Sequence, residues 1–195
     1  MPSRAQAAAA IAAGRTRPVD AAEANGRLFV NNCAIGLYPR LVREREAQQR
    51  DLGRTKRRAM LVAAARALWR FSSHCLTLRF AGMKAPVETP LLFVGNNRYE
   101  TGLLRLGKRA AIDKGELCLY APLARTRLGF GWLSLRALFG RPDRQRDFLT
   151  VEGIEACEID SRRPKLMVAM DGEARLLETP LRFRIRKGAL RLIVP

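Results

Sequence analysis

"MVAMDGEARLLETPLRFRIRKGALRLIVP", residues 167–195, is the stretch that decides the fold class. Its apolar run stops at Asp171-Gly172-Glu173, where a glycine inside an acidic triplet marks a tight turn. Beyond the turn, "LRFRIR" (181–186) alternates apolar with basic residues, the period of a strand with one buried face. "ALRLIVP" (189–195) resumes after Lys187-Gly188, which reads as another turn. The same texture extends upstream through "KLMVAM" (165–170), "EACEID" (155–160), "DFLTVE" (147–152), "ELCLYAP" (116–122), "PLLFVGN" (90–96) and "CLTLRF" (75–80). "RLFVNNCAIGLYP" (27–39) is strand-like, and Asn25-Gly26 ahead of it is a hairpin signal that pairs it with residues 19–24. Strands spaced this closely by turn signals predict an antiparallel sandwich.

Helical texture is confined to three places. Residues 2–14 form an Ala-rich helix stopped by Gly14. Residues 40–71 read as two helices broken at Gly53. In the second, Leu61, Ala64, Ala65, Leu68 and Trp69 share a face bordered by Lys56, Arg57, Arg58, Arg66 and Arg70. Such a basic amphipathic helix either packs on a core or lies on a membrane. "RTRLGFGWLSLRALFGRP" (125–142) is a short, glycine-interrupted basic helix carrying Phe130, Trp132 and Phe139. The predicted class is therefore mainly β (α+β), an antiparallel β-sandwich with two or three inserted surface helices.

A chain of 195 residues that is 48% hydrophobic can bury the core of one sizeable domain. Lys and Arg number 36 against 18 Asp and Glu, a net charge of +18. That imbalance suits nucleic acid, anionic lipid or phosphorylated ligands, although the arginine usage of a GC-rich genome also produces it. Cys33, Cys75, Cys118 and Cys157 form no C-x-x-C pair, and His74 is the only histidine, so metal-ligand spacing is absent. The thiols read as reduced and buried in a cytosolic protein. Neither a secretory leader nor an uncharged window of membrane-spanning length is visible.

Three stretches carry candidate chemistry. "NNCAIGLYPRL" places Asn31 and Asn32 before a buried strand, where their amides either hold a backbone corner or reach a ligand hydroxyl. "VGNNRYETG" (94–102) ends a strand in Asn96 and Asn97 and opens a polar loop with Arg98, Tyr99 and Glu100, again either a turn or part of a site. The third is the triplet. Asp171 and Glu173 are either solvent-facing turn residues or carboxylates held at a cleft rim, where one could serve as a general base.

Taken together, "GRLFVNNCAIGLYPRLVREREAQQRDLGR" (26–54), "PLLFVGNN" (90–97), "VAMDGE" (168–173) and "TPLRFRIRKGALRLIVP" (179–195) resemble the C-terminal half of bacterial diacylglycerol kinase and sphingosine kinase-like lipid kinases. The resemblance runs over residues 17–195 and implies a lipid-binding β-sandwich. It makes residues 1–16 the remnant or linker of an N-terminal nucleotide-binding domain, whose Gly-Gly-Asp-Gly-Thr segment does not occur in this chain. It implies that Glu173, with Asp171 beside it, deprotonates a lipid hydroxyl attacking the γ-phosphate of ATP. The cofactors it implies are ATP and Mg²⁺. Asn31, Asn32, Asn96 and Asn97 become substrate-side candidates.

The family usually has Asp-Asp-Gly before a strand, holding a structural Mg²⁺. Here "AIDKGELCL" (111–119) keeps Asp113 and Gly115 but has Lys114, a donor only, at the second acid. Implied partners are a lipid substrate, an anionic membrane surface and a separate nucleotide-binding half. The implied location is cytoplasmic and peripheral to the membrane, with the basic segments 54–70 and 125–144 nearest the lipid. The chain alone is expected to be inactive. The rival reading is a non-catalytic basic module for anionic membranes or RNA, although no RNA-binding signature is present.

Overall fold

A computed structural model describes residues 4–39, 42, 71–99, 111–124, 126–138 and 144–194. The two helices expected within 40–71 and the loop after Tyr99 fall largely outside these residues. In chain order the elements begin with helix α1 (Arg4–Ala13) and strands β1 (Thr16–Ala24), β2 (Arg27–Phe29) and β3 (Asn32–Gly36). Strands β4 (His74–Phe80), β5 (Met83–Thr89), β6 (Leu91–Asn96) and β7 (Leu117–Pro122) follow. After helices α2 (Arg127–Leu138) and α3 (Arg144–Asp147) come β8 (Phe148–Ile154), β9 (Ala156–Ser161), β10 (Lys165–Met170), β11 (Glu173–Glu178) and β12 (Leu181–Ile193).

The strands form two antiparallel six-stranded sheets, ordered β2-β1-β12-β9-β4-β5 and β11-β10-β3-β6-β7-β8. Alternation decides which side chains meet between them. Phe29, Leu78, Ile159 and Phe183 from the first sheet share one buried cluster with Ile35, Val94, Leu119 and Val168 from the second. Phe29 and Phe183 touch edge-to-face, with centroids 6.3 Å apart. Removing one such side chain costs about 3–5 kcal/mol. The expected sandwich is thus the observed fold. The outer face of the first sheet is a ladder of charges, with Arg79 and Arg182 both reaching Glu158 and Arg186 reaching Glu23.

Four local expectations are corrected. Lys187-Gly188 is not a turn, because β12 runs through it without reversing. Val19 pairs with Leu190 and Ala21 with Arg186, so residues 187–189 bulge opposite Asp20, with Gly188 at φ +60°. Two strands were not expected at all. Pro86 hides β5, yet an edge strand tolerates proline. β11 reads "EARLLE", a helix-forming composition that its partner β10 overrides. The strand expected over 27–39 breaks at Val30-Asn31 into β2 and β3. Finally, Cys75 is exposed while the other three thiols are buried.

Candidate functional site

β10 and β11 make a hairpin in which Met170 pairs with Glu173. Asp171 and Gly172 are the two-residue loop, with φ of +48° and +90°. Both lie in the left-handed region, as a type I′ hairpin requires, and aspartate is one of the few side chains that tolerates it. The Asp171 carboxylate then accepts three successive backbone N–H groups, from Val30 at 2.7 Å, Asn31 at 2.7 Å and Asn32 at 3.2 Å. The Asp171 N–H donates back to the Asn32 carbonyl at 3.0 Å. A carboxylate closing a nest of N–H groups makes charge-assisted bonds, stronger than neutral ones. The break between β2 and β3 is the segment it holds.

Donors secure the same segment from its other side. Asn96 Nδ2 donates to the carbonyls of Val30 and Asp20, both at 2.8 Å, and Tyr99 Oη donates to the Asn31 carbonyl at 2.7 Å. Tyr99 lies so close to Gly95 that a Cβ there would come within 2.5 Å of its ring. Asn97 Nδ2 donates to Asp20 Oδ2 at 3.1 Å, and its Oδ1 accepts the Lys114 N–H at 2.9 Å. Asp20 also accepts the N–H groups of Gly115 at 2.7 Å and Gly188 at 2.9 Å. A buried charge stays affordable only with such a full set of donors.

These contacts sort the candidates. Asn96 and Asn97 are wholly buried and their amides are committed to backbone and Asp20, so they act as scaffold. Asn31 is exposed and Asn32 half-buried, both beside Asp171 at the surface. The triplet's two carboxylates have opposite surroundings. Asp171 is occupied by the β2–β3 connection. Glu173 opens β11, is 69% exposed, and meets only the Arg175 guanidinium at 2.6 Å among the contacts described. It is the carboxylate a hydroxyl could approach.

Among the described residues, Asp113 gathers no further acid around it. Its carboxylate faces Arg17 at 3.6 Å, and among the described residues no three His, Cys, Asp or Glu side chains gather closely enough to hold a metal. The loop it belongs to is held by Asp20 and Asn97 instead. Glu152 and Glu116 are bridged by Arg98 Nε at 3.2 Å from each, and their charges, that of Glu152 first, raise the Arg98 pKa.

Sequence reading missed Asp20, Tyr99 as an anchor, and Arg175. Asp20 had a usable signal, an acid set among Val19, Ala21 and Ala22 in a buried strand. Burial, then the Asp171 charge, pushes the Cys33 thiol far up, and burial raises Cys157 to about 12. Such thiols are not nucleophiles near neutral pH. A groove of about 980 Å³ lies at the far end of the β10–β11 hairpin, lined by Arg79, Lys84, Glu178 and Arg184, well away from the triplet.

No family model matches the chain. Among solved structures it is similar to a "putative diacylglycerol kinase from Bacillus anthracis str. Sterne", with a TM-score of 0.68 and 21% identity over 98% of this chain. Two further structures described as diacylglycerol kinases from the same organism align with TM-scores of 0.63 and 0.61 at 22% and 18% identity. This chain covers 62%, 60% and 58% of those proteins. The chain therefore resembles diacylglycerol kinase-type proteins in fold along nearly all of its own length, while spanning less than two thirds of theirs.

Proposed function

We propose that this chain is the lipid-substrate side of an ATP-dependent lipid kinase, and that Glu173 is the base for the lipid hydroxyl. One observation carries the reading: a hairpin pinned by Asp171 presents Glu173 as an open carboxylate at its exit. In the reaction the hydroxyl oxygen attacks the γ-phosphorus, the bond to the β-phosphate oxygen breaks, and the hydroxyl proton passes to Glu173. Phosphoryl transfer depends mostly on position and charge neutralisation. Here the triple N–H clamp on Asp171 supplies position, and Arg175 orients the Glu173 carboxylate. ATP and its Mg²⁺, which neutralises phosphate charge, belong to a nucleotide-binding half, encoded upstream or supplied by another chain. No described residue is assigned to them.

The net charge of +18 favours a second element of the reading, peripheral attachment to an anionic membrane that holds the substrate. No described helix is long and apolar enough to cross a membrane. The test is transfer of labelled phosphate from Mg-ATP to diacylglycerol in anionic vesicles, with this chain alone and together with a nucleotide-binding half from a related kinase. We expect no transfer by the chain alone and transfer on reconstitution. Glu173→Gln should reduce the reconstituted rate by about 10²–10⁴-fold, the usual contribution of a positioned base. Full activity in that variant would remove Glu173 from the reaction. Vesicle binding with no transfer under any combination would leave the non-catalytic module as the better reading.

A further inference from the structure

We propose that helix α2 seats the protein on an anionic bilayer, with Leu128 and Trp132 entering the interfacial layer and the exposed Arg127 beside them meeting lipid phosphates. The two residues are the most exposed large apolar side chains of the described protein apart from Ile11, at 87% and 62%. They are four apart on a helix and therefore occupy one face, one turn from each other. Leu123, at the exit of β7, adds a third half-exposed apolar side chain just before the helix.

The helix is held so that this face points outward. Leu133, buried at 6%, packs inward, and the Phe130 ring meets Phe71 with centroids 5.8 Å apart. The Thr126 hydroxyl caps the first turn by accepting the Gly129 N–H at 3.1 Å. Near the other end, Arg136 is tied to Asp147 at 3.1 Å. An apolar pair fixed in water costs free energy unless a partner covers it.

Charge selects the partner. Residues 123–142 contain Arg125, Arg127, Arg136 and Arg141 and no acid, within a chain of net charge +18. A second copy would bring the same strongly positive net charge to the contact and be repelled. An anionic bilayer supplies phosphates for Arg127, hydrocarbon for Leu128, and the interfacial depth that tryptophan prefers. The choice of a lipid surface agrees with the lipid-kinase reading and rests on it for its purpose, while the geometry rests on α2 alone.

Trp132 reports on its own position. The chain has two tryptophans, so Trp69→Phe leaves Trp132 as the only one. Vesicles of phosphatidylcholine, pure or mixed with phosphatidylglycerol, are titrated into this variant. We expect the Trp132 emission to shift to the blue and to be quenched by brominated acyl chains on the mixed vesicles, with binding weakening as salt rises. Leu128→Ser should lower the partition coefficient by roughly tenfold, the worth of burying one leucine, and Leu128→Met should restore most of it. Both variants should keep the circular dichroism spectrum of the parent.

Co-sedimentation with unchanged Trp132 emission, or wild-type binding by Leu128→Ser, would overturn the proposal, because another face would be docking. A blue shift that grows with protein concentration without lipid would also overturn it, in favour of self-association. Absence of vesicle binding would do the same. Insertion of Trp132 together with failed phosphate transfer in the reconstituted assay would uphold this proposal and sink the kinase reading.

Discussion

Asp171→Asn separates the two carboxylates of the hairpin, one of which holds the β2–β3 connection while the other meets only Arg175 among the contacts described. Asparagine keeps the shape of aspartate and tolerates the left-handed φ of +48°, so the hairpin loop itself is not strained. It cannot keep the hydrogen bonds. One oxygen of the carboxylate serves Asn31 and Asn32 and the other serves Val30, so the new NH₂ must face at least one N–H donor. A bond to a charged acceptor contributes about 1.5–3 kcal/mol, and water competes at this exposed site. The expected loss is therefore about 2 kcal/mol rather than the sum of three bonds. For a chain of this size that is a fall in Tm of roughly 4–8 °C. Asp171→Ala should lose about 1 kcal/mol more, because alanine also dislikes the left-handed region. Urea denaturation followed by circular dichroism measures all of this. Glu173→Gln, altering a 69% exposed side chain in a surface ion pair, should stay within about 0.5 kcal/mol of the parent. If Asp171→Asn matched the parent as closely as Glu173→Gln does, the connector would not depend on the carboxylate and the division of roles would be wrong.

Two further perturbations test the scaffold. Asp20→Ala strands the buried N–H of Gly115 and one amide proton of Asn97, and leaves the part-buried N–H of Gly188 to water, and should cost about 3 kcal/mol in urea denaturation. A loss below 1 kcal/mol would mean that water replaces the carboxylate and the network is not structural. The buried thiols predict a pH dependence. Burial raises Cys157 from the ordinary 9 to about 12 and, with the Glu116 charge, Cys118 to about 11. Unfolded thiols therefore lose their protons first as pH rises. The stability they contribute is complete below pH 9 and is lost between pH 9 and 12. Cys157→Ala should flatten the fall in stability between pH 8 and 10 by about 1 kcal/mol, and an unchanged slope would show that Cys157 is not sealed from water.

Much of the scaffold was legible because a strand with one buried face repeats every two residues. β4, β9 and the first half of β12 follow that rule, whereas β6 and β7 are buried almost throughout, as the continuous apolar run of 90–96 implies for β6. β5 and β11 do not follow it, since Pro86 interrupts one and the other is written in helix-forming residues; both are edge strands, where one neighbour suffices to hold them. Lys187-Gly188 has the composition of a turn, and only the pairing of β12 with β1 on both sides turns it into a bulge. The candidate site divides along the same line. The D-G-E triplet was visible as a turn with two acids, and resemblance to lipid kinases gave those acids a role. Local sequence treats Asp171 and Glu173 alike, and Asn31-Asn32 like Asn96-Asn97.

The chain's residues by themselves thus determine a basic, mainly β protein, the positions of most strands, and an acidic turn near the C-terminus, because periodicity, turn chemistry and charge are local properties. Which acid is structural and which is open was decided only in three dimensions. The bonds that decide it join Val30, Asn31 and Asn32 to Asp171 across 139 to 141 residues, and Asp20 to Gly188 across 168. No local pattern encodes partners so far apart; they meet because the two sheets close on a common core and bring those backbone N–H groups to the carboxylates.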